Sequence, residues 1–326
     1  MAEKSAISWT RSTFNPWIGC TKVGPGCDHC YASVSTPARA QGIIWGPGEP
    51  RKRTSPHNWN GPLKWDKRAA EEQASGIITP GWESWGKPGF WPVFCASLAD
   101  VFDNEVPQAW REDLWRLIAM TPHLDWLLVT KRVGNIKSMV PFEWSKVQFP
   151  PNIRILITVV NQEEADRDIP KLLALPCKNG ISYEPALGPV DWSPFFRKDL
   201  GEFVMPAQSE ADLHGQPKKL TAYIQGIQWV IVGGESDQPG MPARPFDIQW
   251  ARSTVQQCHA AGVAVFVKQL GSYALSSQVE AKPDGSYCFH MSPEHPPGKV
   301  GLILQDRAGA DPSEWPEDMR VQEFPA

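Results

Sequence analysis

Short runs of apolar residues recur along the chain, and each of them ends in polar or charged residues. Six of these runs are expected to form strands, at 93–97, 126–132, 153–160, 180–185, 228–236 and 263–269. Helical spacing of apolar residues follows or precedes several of them, at 106–120, 163–174 and 247–261. Strands that alternate with helices are typical of a parallel sheet covered on both faces. The pattern therefore predicts an α/β protein, a partial or full parallel (β/α) barrel of about six strands.

The polar residues that end these strands are the first candidates for a ligand site. In (β/α) barrels the functional groups gather at the carboxyl ends of the strands. One polar residue after a strand is more often a turn former or a helix cap, but here every predicted strand is followed by at least one. They are Ser97, Asp100, Lys131, Asn161, Gln162, Glu184, Glu235, Lys268 and Gln269. We expect them to form a polar floor around one ligand.

Segments rich in Trp, Pro and Gly interrupt the strand and helix pattern. The 326 residues include 16 Trp and 32 Pro, and many Trp lie beside Pro or Gly, which is typical of ordered loops held by aromatic side chains. We expect a barrel domain at 1–271 with insertions at about 43–92 and 195–226. Residues 272–326 are predicted to be a Pro/Gly-rich extension that packs on the barrel as loops. A further helix is expected over 31–41.

The charge and hydropathy of the chain limit the classes of function. A net charge of −4 argues against a strongly basic surface for nucleic acid, although a local patch remains compatible with it. The amino terminus has no apolar signal core, and no run approaches the ~20 apolar residues of a membrane span. We therefore expect a cytoplasmic protein without a membrane partner. In a reducing compartment, clustered cysteines bind metal or take part in catalysis more often than they form disulfides.

A cluster of cysteines near the amino terminus is the strongest chemical signal. Cys20, Cys27 and Cys30 are three of the seven cysteines, and Gly and Pro residues between the first two permit a tight turn. Three converging thiolates suit a soft metal ion or an iron–sulfur cluster and leave one coordination position open. Zinc, with His29 or His57 as a fourth ligand, is the main inorganic alternative. The ring of His29, however, is poorly placed between the two closely spaced cysteines.

Several common catalytic motifs are missing from the sequence. It has neither the phosphate-binding G-x-x-x-x-G-K-[ST] nor the dinucleotide-binding G-x-G-x-x-G. It also lacks the G-x-S-x-G of the nucleophile-elbow hydrolases. No His is followed two residues later by Glu, as a zinc deaminase requires. These absences argue against a nucleotide triphosphatase, a nicotinamide enzyme, an α/β-hydrolase and a zinc deaminase.

The cysteine motif, followed by Tyr31 and a predicted helix at the start of a partial barrel, resembles the radical S-adenosylmethionine superfamily. The whole chain is more closely similar to an uncharacterised phage-associated family related to that superfamily. The runs that carry this likeness are NPWIGC at 15–20, GCDHCYA at 26–32, LVTKR at 128–132, YEPALGPVD at 183–191, VGGES at 232–236, FVKQ at 266–269 and DPSEWPED at 311–318. The resemblance implies a radical-SAM-like barrel.

The resemblance also implies a cofactor and a reaction. Cys20, Cys27 and Cys30 would hold three irons of a [4Fe–4S] cluster, and the fourth iron would bind S-adenosylmethionine. Reductive cleavage of this cosubstrate would give a 5′-deoxyadenosyl radical. The chain departs from the superfamily at two points. Six residues, rather than the usual three, separate the first two cysteines, and the Gly-Gly-Glu run at 233–235 follows a late strand rather than the second strand.

These departures shape the roles that we expect of the polar residues. The second-strand position is filled here by residues 97–100, a plausible substitute for the Gly-Gly-Glu run. The residues expected to hold S-adenosylmethionine are Ser97, Asp100, Lys131 and Asn161. The residues expected to face the substrate, one of them as a proton donor or acceptor, are Glu184, Glu235 and Lys268.

The leading hypothesis is thus a radical S-adenosylmethionine-type enzyme that draws on an external electron donor. The aromatic and basic insertion at 43–92 and the phage-type resemblance favour a nucleic acid or a nucleoside as substrate. The alternative from another class is a non-catalytic iron–sulfur or zinc-binding protein that acts as an interaction partner. A metal-dependent hydrolase would need carboxylate or His ligands beside the metal, and the sequence supplies no evident set.

Overall fold

The computed structural model of the protein describes residues 2–196, 198–204, 219–224, 226–278, 289–290, 292 and 294–325. Its main sheet has seven parallel strands. In chain order they are β1 (Ser12–Thr13), β2 (Pro92–Cys95), β3 (Asp125–Thr130), β4 (Ile153–Thr158), β5 (Lys178–Tyr183), β6 (Trp229–Gly233) and β7 (Ala264–Gln269).

The strand order confirms the predicted α/β class and its barrel type. Each strand pairs with its neighbour along the chain, as in a (β/α) barrel, whereas the strand order of a doubly wound sheet reverses. In the part of the chain that the structure describes, no pairing joins β1 to β7, so the barrel is partial. The six predicted strands are β2 to β7. The added strand, β1, consists of two polar residues, and no apolar run announces it.

Both edges of the sheet are covered by the ends of the chain. Ala2 forms an antiparallel bridge with Thr13 of β1. On the opposite edge, the amide of Val267 donates to the carbonyl of Val321 at 2.8 Å, and the amide of Glu323 donates to the carbonyl of Val265 at 3.0 Å. These contacts satisfy backbone groups of β7 that would otherwise be free to pair with another chain.

Strand side chains alternate between the two faces of the sheet. The outer face packs against helices through Val93, Leu128, Ile155, Val230 and Val265. The inner face forms a second apolar cluster made of Trp9, Phe94, Leu127, Leu156, Trp229, Ile231 and Phe266. Because this cluster fills the middle of the inner face, space for ligands is left only above and below it, at the two ends of the strands.

Four longer helices cover the sheet or extend from it. They are α1 (Gly61–Ser75), α2 (Gln108–Ala119), α3 (Gln162–Leu173) and α4 (Ile248–Ala260). Shorter α-helical segments are Tyr31–Val34, Thr36–Ala40, Pro56–Trp59, Ile136–Met139 and Phe142–Lys146. Single 3₁₀ turns are Pro25–Cys27, Glu83–Trp85, Val133–Asn135, Ser193–Phe195, Pro312–Glu314 and Glu317–Met319. None of the described helices is long and apolar enough to span a membrane.

The predicted helices agree with α2, α3 and α4 to within two residues at each end. Capping explains two of the starting points: Asn161 accepts a hydrogen bond from the amide of Glu164, and Asp247 accepts one from the amide of Gln249. The helix predicted over 31–41 is instead broken at Ser35, whose backbone is extended. Pro37 can occupy only the first turn of a helix, so a new helix begins beside it.

A buried ion pair holds the insertion at 43–92 against the start of the sheet. The two terminal guanidinium nitrogens of Arg11 contact the Glu72 carboxylate at 2.6 and 3.0 Å, and both side chains are buried. The guanidinium also lies 3.7 Å from the ring centroid of Trp91 and 4.5 Å from that of Trp82. The Trp-rich insertion is therefore ordered around a cation, as the sequence pattern of aromatic anchors predicts.

The remaining strands form small sheets outside the barrel. The insertion predicted at 195–226 contains an antiparallel pair, Lys198–Val204 with Lys219–Ile224, and its residues 205–218 lie outside the described part. Within 272–326, Ala274–Ser276, Phe289–His290 and Val300–Leu302 join Phe246–Asp247 in a four-stranded sheet, so this extension does not consist of loops alone. Trp17–Ile18 pairs with Lys52–Arg53.

Candidate functional site

A cavity of about 600 Å³ opens at the carboxyl ends of the barrel strands. Its size is within the range of small-molecule sites. Nine of the ten residues predicted as metal, cofactor or substrate contacts line it, namely Cys20, Cys27, Cys30, Ser97, Asp100, Lys131, Glu184, Glu235 and Lys268. The structure thus brings together residues from the cysteine loop and from the ends of β2, β3, β5, β6 and β7.

Strand alternation explains how polar side chains come to line part of the cavity. Thr158 and Ser182 are cross-strand partners in β4 and β5, two residues beyond the inner-face positions of Leu156 and Gly180. Lys268 likewise lies two residues beyond Phe266 on β7. The inner face therefore changes from an apolar layer to hydroxyl and charged groups within one period of two residues.

The cysteine loop lies across one side of this cavity and carries three free thiols. Cys27 is buried at the end of the 3₁₀ turn Pro25–Cys27, whereas Cys20 and Cys30 are half-buried. Gly26 permits the close approach of this turn to the barrel: a Cβ there would lie 2.8 Å from Val160 and 3.2 Å from the Cε of Lys131. The loop is thus packed directly on the strand ends.

Arg132 holds the first end of the cysteine loop. Its Nη1 donates to the Sγ of Cys20 at 3.4 Å, and its Nη2 donates to the carbonyl of Thr21 at 2.7 Å. Nη1 also lies 3.1 Å from Asp100, which keeps the guanidinium in place. Burial, and then the charge of Asp100, raise the pKa of the Cys20 thiol to about 12 although Arg132 opposes them. A soft cation that binds Cys20 must therefore displace a proton.

Arg244 holds the second part of the same loop. Its Nη1 donates to the carbonyl of Pro25 at 2.9 Å. Its Nε donates to Glu235 at 2.8 Å, and its Nη2 contacts the second oxygen of the same carboxylate. Although burial opposes it, these hydrogen bonds lower the pKa of Glu235. Glu235 also lies 3.5 Å from the Nδ1 of His29, so this carboxylate at the end of β6 is close to the cysteine loop as well.

Asp100 lies in the cavity wall, but its two carboxylate oxygens already have four protein partners. One oxygen accepts from the Oγ1 of Thr130 at 2.8 Å and from the amide of Phe102 at 2.9 Å. The other accepts from the amide of Lys131 at 3.0 Å and lies 3.1 Å from Arg132. This arrangement fits a residue that orients Lys131 and Arg132 better than one that contacts a ligand with its own oxygens.

Ser97 is joined to Asn15, a residue that the sequence patterns assigned to no role. The Nδ2 of Asn15 donates to the Oγ of Ser97 at 3.0 Å, and its Oδ1 accepts from the amide of Leu98 at 2.8 Å. The hydroxyl of Tyr31 donates to the carbonyl of Ser97 at 3.1 Å. Tyr31 follows the last cysteine, so this bond ties the cysteine loop to the end of β2.

Three charged side chains remain directed at the cavity interior. The Nζ of Lys268 lies 2.9 Å from the Oε1 of Glu184, so these two residues form an ion pair. The Nζ of Lys131 donates to the Oγ1 of Thr158 at 3.3 Å. Among the described residues no carboxylate lies within 4.0 Å of this ammonium. Lys131 is therefore available to a negatively charged ligand group.

Asn161 is the predicted cofactor residue that has another position. Its side chain caps α3 by accepting a hydrogen bond from the amide of Glu164 at 3.0 Å, and it is absent from the described lining of the cavity. A polar residue after a strand has such a capping role more often than a ligand role. Gln269 does line the cavity, and its amide donates to the carbonyl of Gly234 at 2.7 Å.

The cysteine loop is the candidate metal site that the sequence suggests, and its three thiols face one cavity. Among the described residues, no group of three or more His, Cys, Asp or Glu side chains is arranged to hold a single ion. A [4Fe–4S] cluster makes a different demand, because each cysteine binds a different iron and the three sulfurs need not meet at one point. Three thiols on one side of one cavity have the ligand chemistry that such a cluster requires.

Three residues that line this cavity, Thr158, Ser182 and Arg132, make polar contacts but have no role assigned from sequence, and neither does Arg244, which contacts the cysteine loop. Thr158 and Ser182 are found by counting inward positions along β4 and β5, a signal that the sequence does contain. Arg132 follows Lys131 directly and belongs to the same strand end. Arg244 gave no signal, because it lies in an irregular segment between β6 and α4 and reaches the cysteine loop only through the fold.

Comparison with known proteins places the chain in a family and gives one weakly similar structure. A family model described as protein of unknown function (DUF5131) matches residues 4–292. No curated protein matches the chain. A cysteine-to-serine mutant of spore photoproduct lyase is a weakly similar solved structure, with a TM-score of 0.32 and 12% sequence identity. The alignment covers 57% of this chain and half of the lyase, so the chain matches only about half the length of that protein.

Proposed function

Because the chain belongs to the DUF5131 family, whose function is unknown, we propose its function from its own cavity: it is a radical S-adenosylmethionine-type enzyme. The observation that carries this proposal is that nine of the ten predicted residues, from Cys20 to Lys268, line one cavity at the carboxyl ends of the strands. The parallel sheet by itself brings the strand ends together. The position of the three-cysteine loop on the same cavity is the added observation.

In this proposal Cys20, Cys27 and Cys30 bind a [4Fe–4S] cluster. Such a cluster, when bound, would supply one electron for the reductive cleavage of S-adenosylmethionine to methionine and a 5′-deoxyadenosyl radical. Arg132 and Arg244 position the loop from its two ends through their bonds to the carbonyls of Thr21 and Pro25. The guanidinium of Arg132 also donates to Cys20, and such hydrogen bonds to a ligating sulfur influence the reduction potential of a cluster.

Lys131 is proposed to bind the carboxylate of S-adenosylmethionine. It lines the cavity beside the cysteine loop, and no carboxylate of the described residues neutralises it. Asp100 supports this role through the amide of Lys131, and Ser97 supports it from the end of β2. Asn161 would then act indirectly, by fixing the start of α3.

Glu184 and Lys268 are proposed to face the substrate and to hold or transfer a proton between Oε1 and Nζ, which are 2.9 Å apart. Glu235 is better suited to orientation than to proton donation, because its lowered pKa keeps it ionised. The apolar layer below the cavity, including Trp9 and Phe94, helps to exclude water and competing hydrogen donors.

The aromatic lining of the cavity bears on the class of substrate. Trp9, Tyr31, Trp45 and Phe94 give the cavity aromatic surfaces on which a base can stack, and this favours a nucleoside or a nucleic acid. The phage-type resemblance points in the same direction. The proposal further includes an external electron donor and a cytoplasmic location, where reduced cysteines and a low-potential donor are available.

The experiment that tests the proposal is anaerobic purification and reconstitution, followed by analysis of iron, sulfide and zinc. We expect about four irons per chain and a spectrum of the reduced sample that changes when S-adenosylmethionine is added. Cys27→Ala should lose the iron, whereas Cys258→Ala, at a buried thiol of α4, should retain it. One zinc per chain without a response to the cosubstrate would refute the proposal and favour a metal-bearing interaction partner.

A further inference from the structure

A second, smaller cavity lies at the opposite end of the inner face, at the amino ends of the strands. Its volume is about 160 Å³, well above the ~10–15 Å³ that one water molecule requires. Its charged lining consists of Lys87, Asp125, Arg154 and Lys178. Phe90, Trp229 and Phe324 are among its aromatic walls. The apolar layer of the inner face separates it from the cysteine cavity, so it is a different site.

Arg154 is the central cation of this cavity. It lies two residues before Leu156 on β4, which places it on the inner face, and only 8% of its surface is exposed. Its Nη1 donates at 2.8 Å to the carbonyl of Asn179 and to the Oε1 of Gln228. Among the described residues, its Nε and Nη2 have no acceptor. Burial lowers the pKa of Arg154 to about 10, so the guanidinium is still charged at neutral pH.

The cross-strand partner of Arg154 is also a cation. Lys178 pairs with Arg154 in the register of β4 and β5, and both side chains line the cavity. Like charges directly opposite each other destabilise a sheet. In the described part of the chain, neither cation has a carboxylate within 4.0 Å. Lys87 adds a third positive charge to the same lining.

Asp125 is the carboxylate of this cavity and partly opposes the cations. It begins β3 and accepts a hydrogen bond from the amide of Trp91 at 3.3 Å. Burial raises its pKa, although the positive charges of Lys178, Lys87 and Arg154 oppose that shift. With three cations and one carboxylate, the lining of the cavity carries a net positive charge.

We propose that this cavity binds a phosphate-class oxyanion, either free or as the phosphoryl group of a nucleotide or polynucleotide. The unused guanidinium nitrogens of Arg154 match two oxygens of such a group, and Lys178 and Lys87 supply further positive charge from the same lining. The aromatic walls keep water away from part of the site, which strengthens each charged contact. The site is independent of the cluster and of the function proposed above.

The test is calorimetric titration of the full-length, metal-free protein with inorganic phosphate at constant ionic strength, with chloride as the reference anion. Lys178→Gln, at an exposed residue, should weaken phosphate binding about tenfold, as expected when one charge-assisted hydrogen bond is removed. Asp125→Asn should tighten it severalfold by removing the opposing charge. Lys137→Gln, at an exposed lysine of the segment Ile136–Met139, should leave it unchanged.

Arg154 is too buried to replace without a risk to folding. Lys178→Gln and Asp125→Asn, which are expected to change phosphate affinity in opposite directions, test the proposal in its place. Equal heats for phosphate and chloride would overturn it. Unchanged binding in both Lys178→Gln and Asp125→Asn would also overturn it. A nucleoside monophosphate and a dinucleotide then distinguish the sources: binding of phosphate and monoester alone supports a free or terminal group, and equal binding of the diester supports a polynucleotide backbone.

Discussion

Arg244 offers a direct test of how the cysteine loop is held over the cavity. Arg244→Gln removes the guanidinium that bonds both the carbonyl of Pro25 and the carboxylate of Glu235. Pro25 and Glu235 lie far apart along the chain, so the variant weakens the connection between the cysteine loop and the end of β6. Arg132, which bonds Cys20 and Thr21, is left intact. The variant should therefore loosen the second part of the loop only.

The size of the effect follows from the hydrogen bonds that the variant removes. Arg244 makes several charged hydrogen bonds to Glu235, whose side chain is only 9% exposed. One hydrogen bond to a charged group contributes about 1.5–3 kcal/mol. The bonds to Glu235 position the guanidinium, and the bond from its Nη1 to the carbonyl of Pro25 is the one that holds the loop. Without that bond the free energy of local opening should fall by this amount. Opening of the loop should then become about 10- to 150-fold more frequent.

The assay is alkylation of the metal-free protein by iodoacetamide, with the modified fraction of each cysteine followed by mass spectrometry. Cys27, which is buried in the native loop, should react at least about tenfold faster in Arg244→Gln, and Cys20 should change less. Arg116→Gln, which breaks an exposed ion pair with Asp113, is the matched control. Equal acceleration of Cys27 and the core residue Cys258 would indicate global unfolding and would refute this reasoning.

Three further predictions concern stability and ligand binding. Glu72→Gln should lower the free energy of unfolding in urea by about 3–5 kcal/mol at neutral pH, because it leaves the buried Arg11 without its charged partner. Although burial opposes it, hydrogen bonds from Arg11 and backbone amides lower the pKa of Glu72 from 4.5 to about 2. The difference in the free energy of unfolding between the variant and the unaltered protein should therefore shrink as the pH falls from 4.5 to about 2. Lys131→Met should weaken S-adenosylmethionine binding to the reconstituted protein about tenfold, measured by equilibrium dialysis, with an unchanged circular dichroism spectrum. Gly180→Ala should lower the free energy of unfolding by about 1–3 kcal/mol in the same assay, because the Cβ of the alanine would lie 2.9 Å from the carbonyl oxygen of Trp229.

The parts of the fold that sequence predicted well are those governed by apolar periodicity. The six long strands and the helices α2, α3 and α4 each bury a continuous apolar face, and burial of that face decides where they form. β1 was missed because Ser12 and Thr13 are polar and pair only through their backbone. The small sheet that includes Ala274–Ser276 was missed for a similar reason, since its strands have two or three residues.

The same distinction applies to the cavity. Lys131, Glu184 and Lys268 could be placed there from sequence, because their positions at strand ends follow from the parallel sheet. The sequence does not predict which polar side chains already have hydrogen-bond partners within the protein. Asp100 has four partners and Asn161 caps a helix, and these contacts depend on the orientation of segments distant in sequence or on the local cap geometry. The contact of Arg244 with the cysteine loop depends entirely on the tertiary fold.

The wide spacing of the cysteines and the two arginines belong together physically. Doubling a loop from three residues to six costs only about 0.6 kcal/mol in closure entropy, but it also permits more conformations in which the thiols point away from the cavity. One charged hydrogen bond contributes about 1.5–3 kcal/mol, which exceeds that cost. Arg132 and Arg244 each place such a bond on the loop, at Thr21 and Pro25, the two sides of the added residues. A longer loop held in this way can keep its three thiols on one cavity without the shorter spacing.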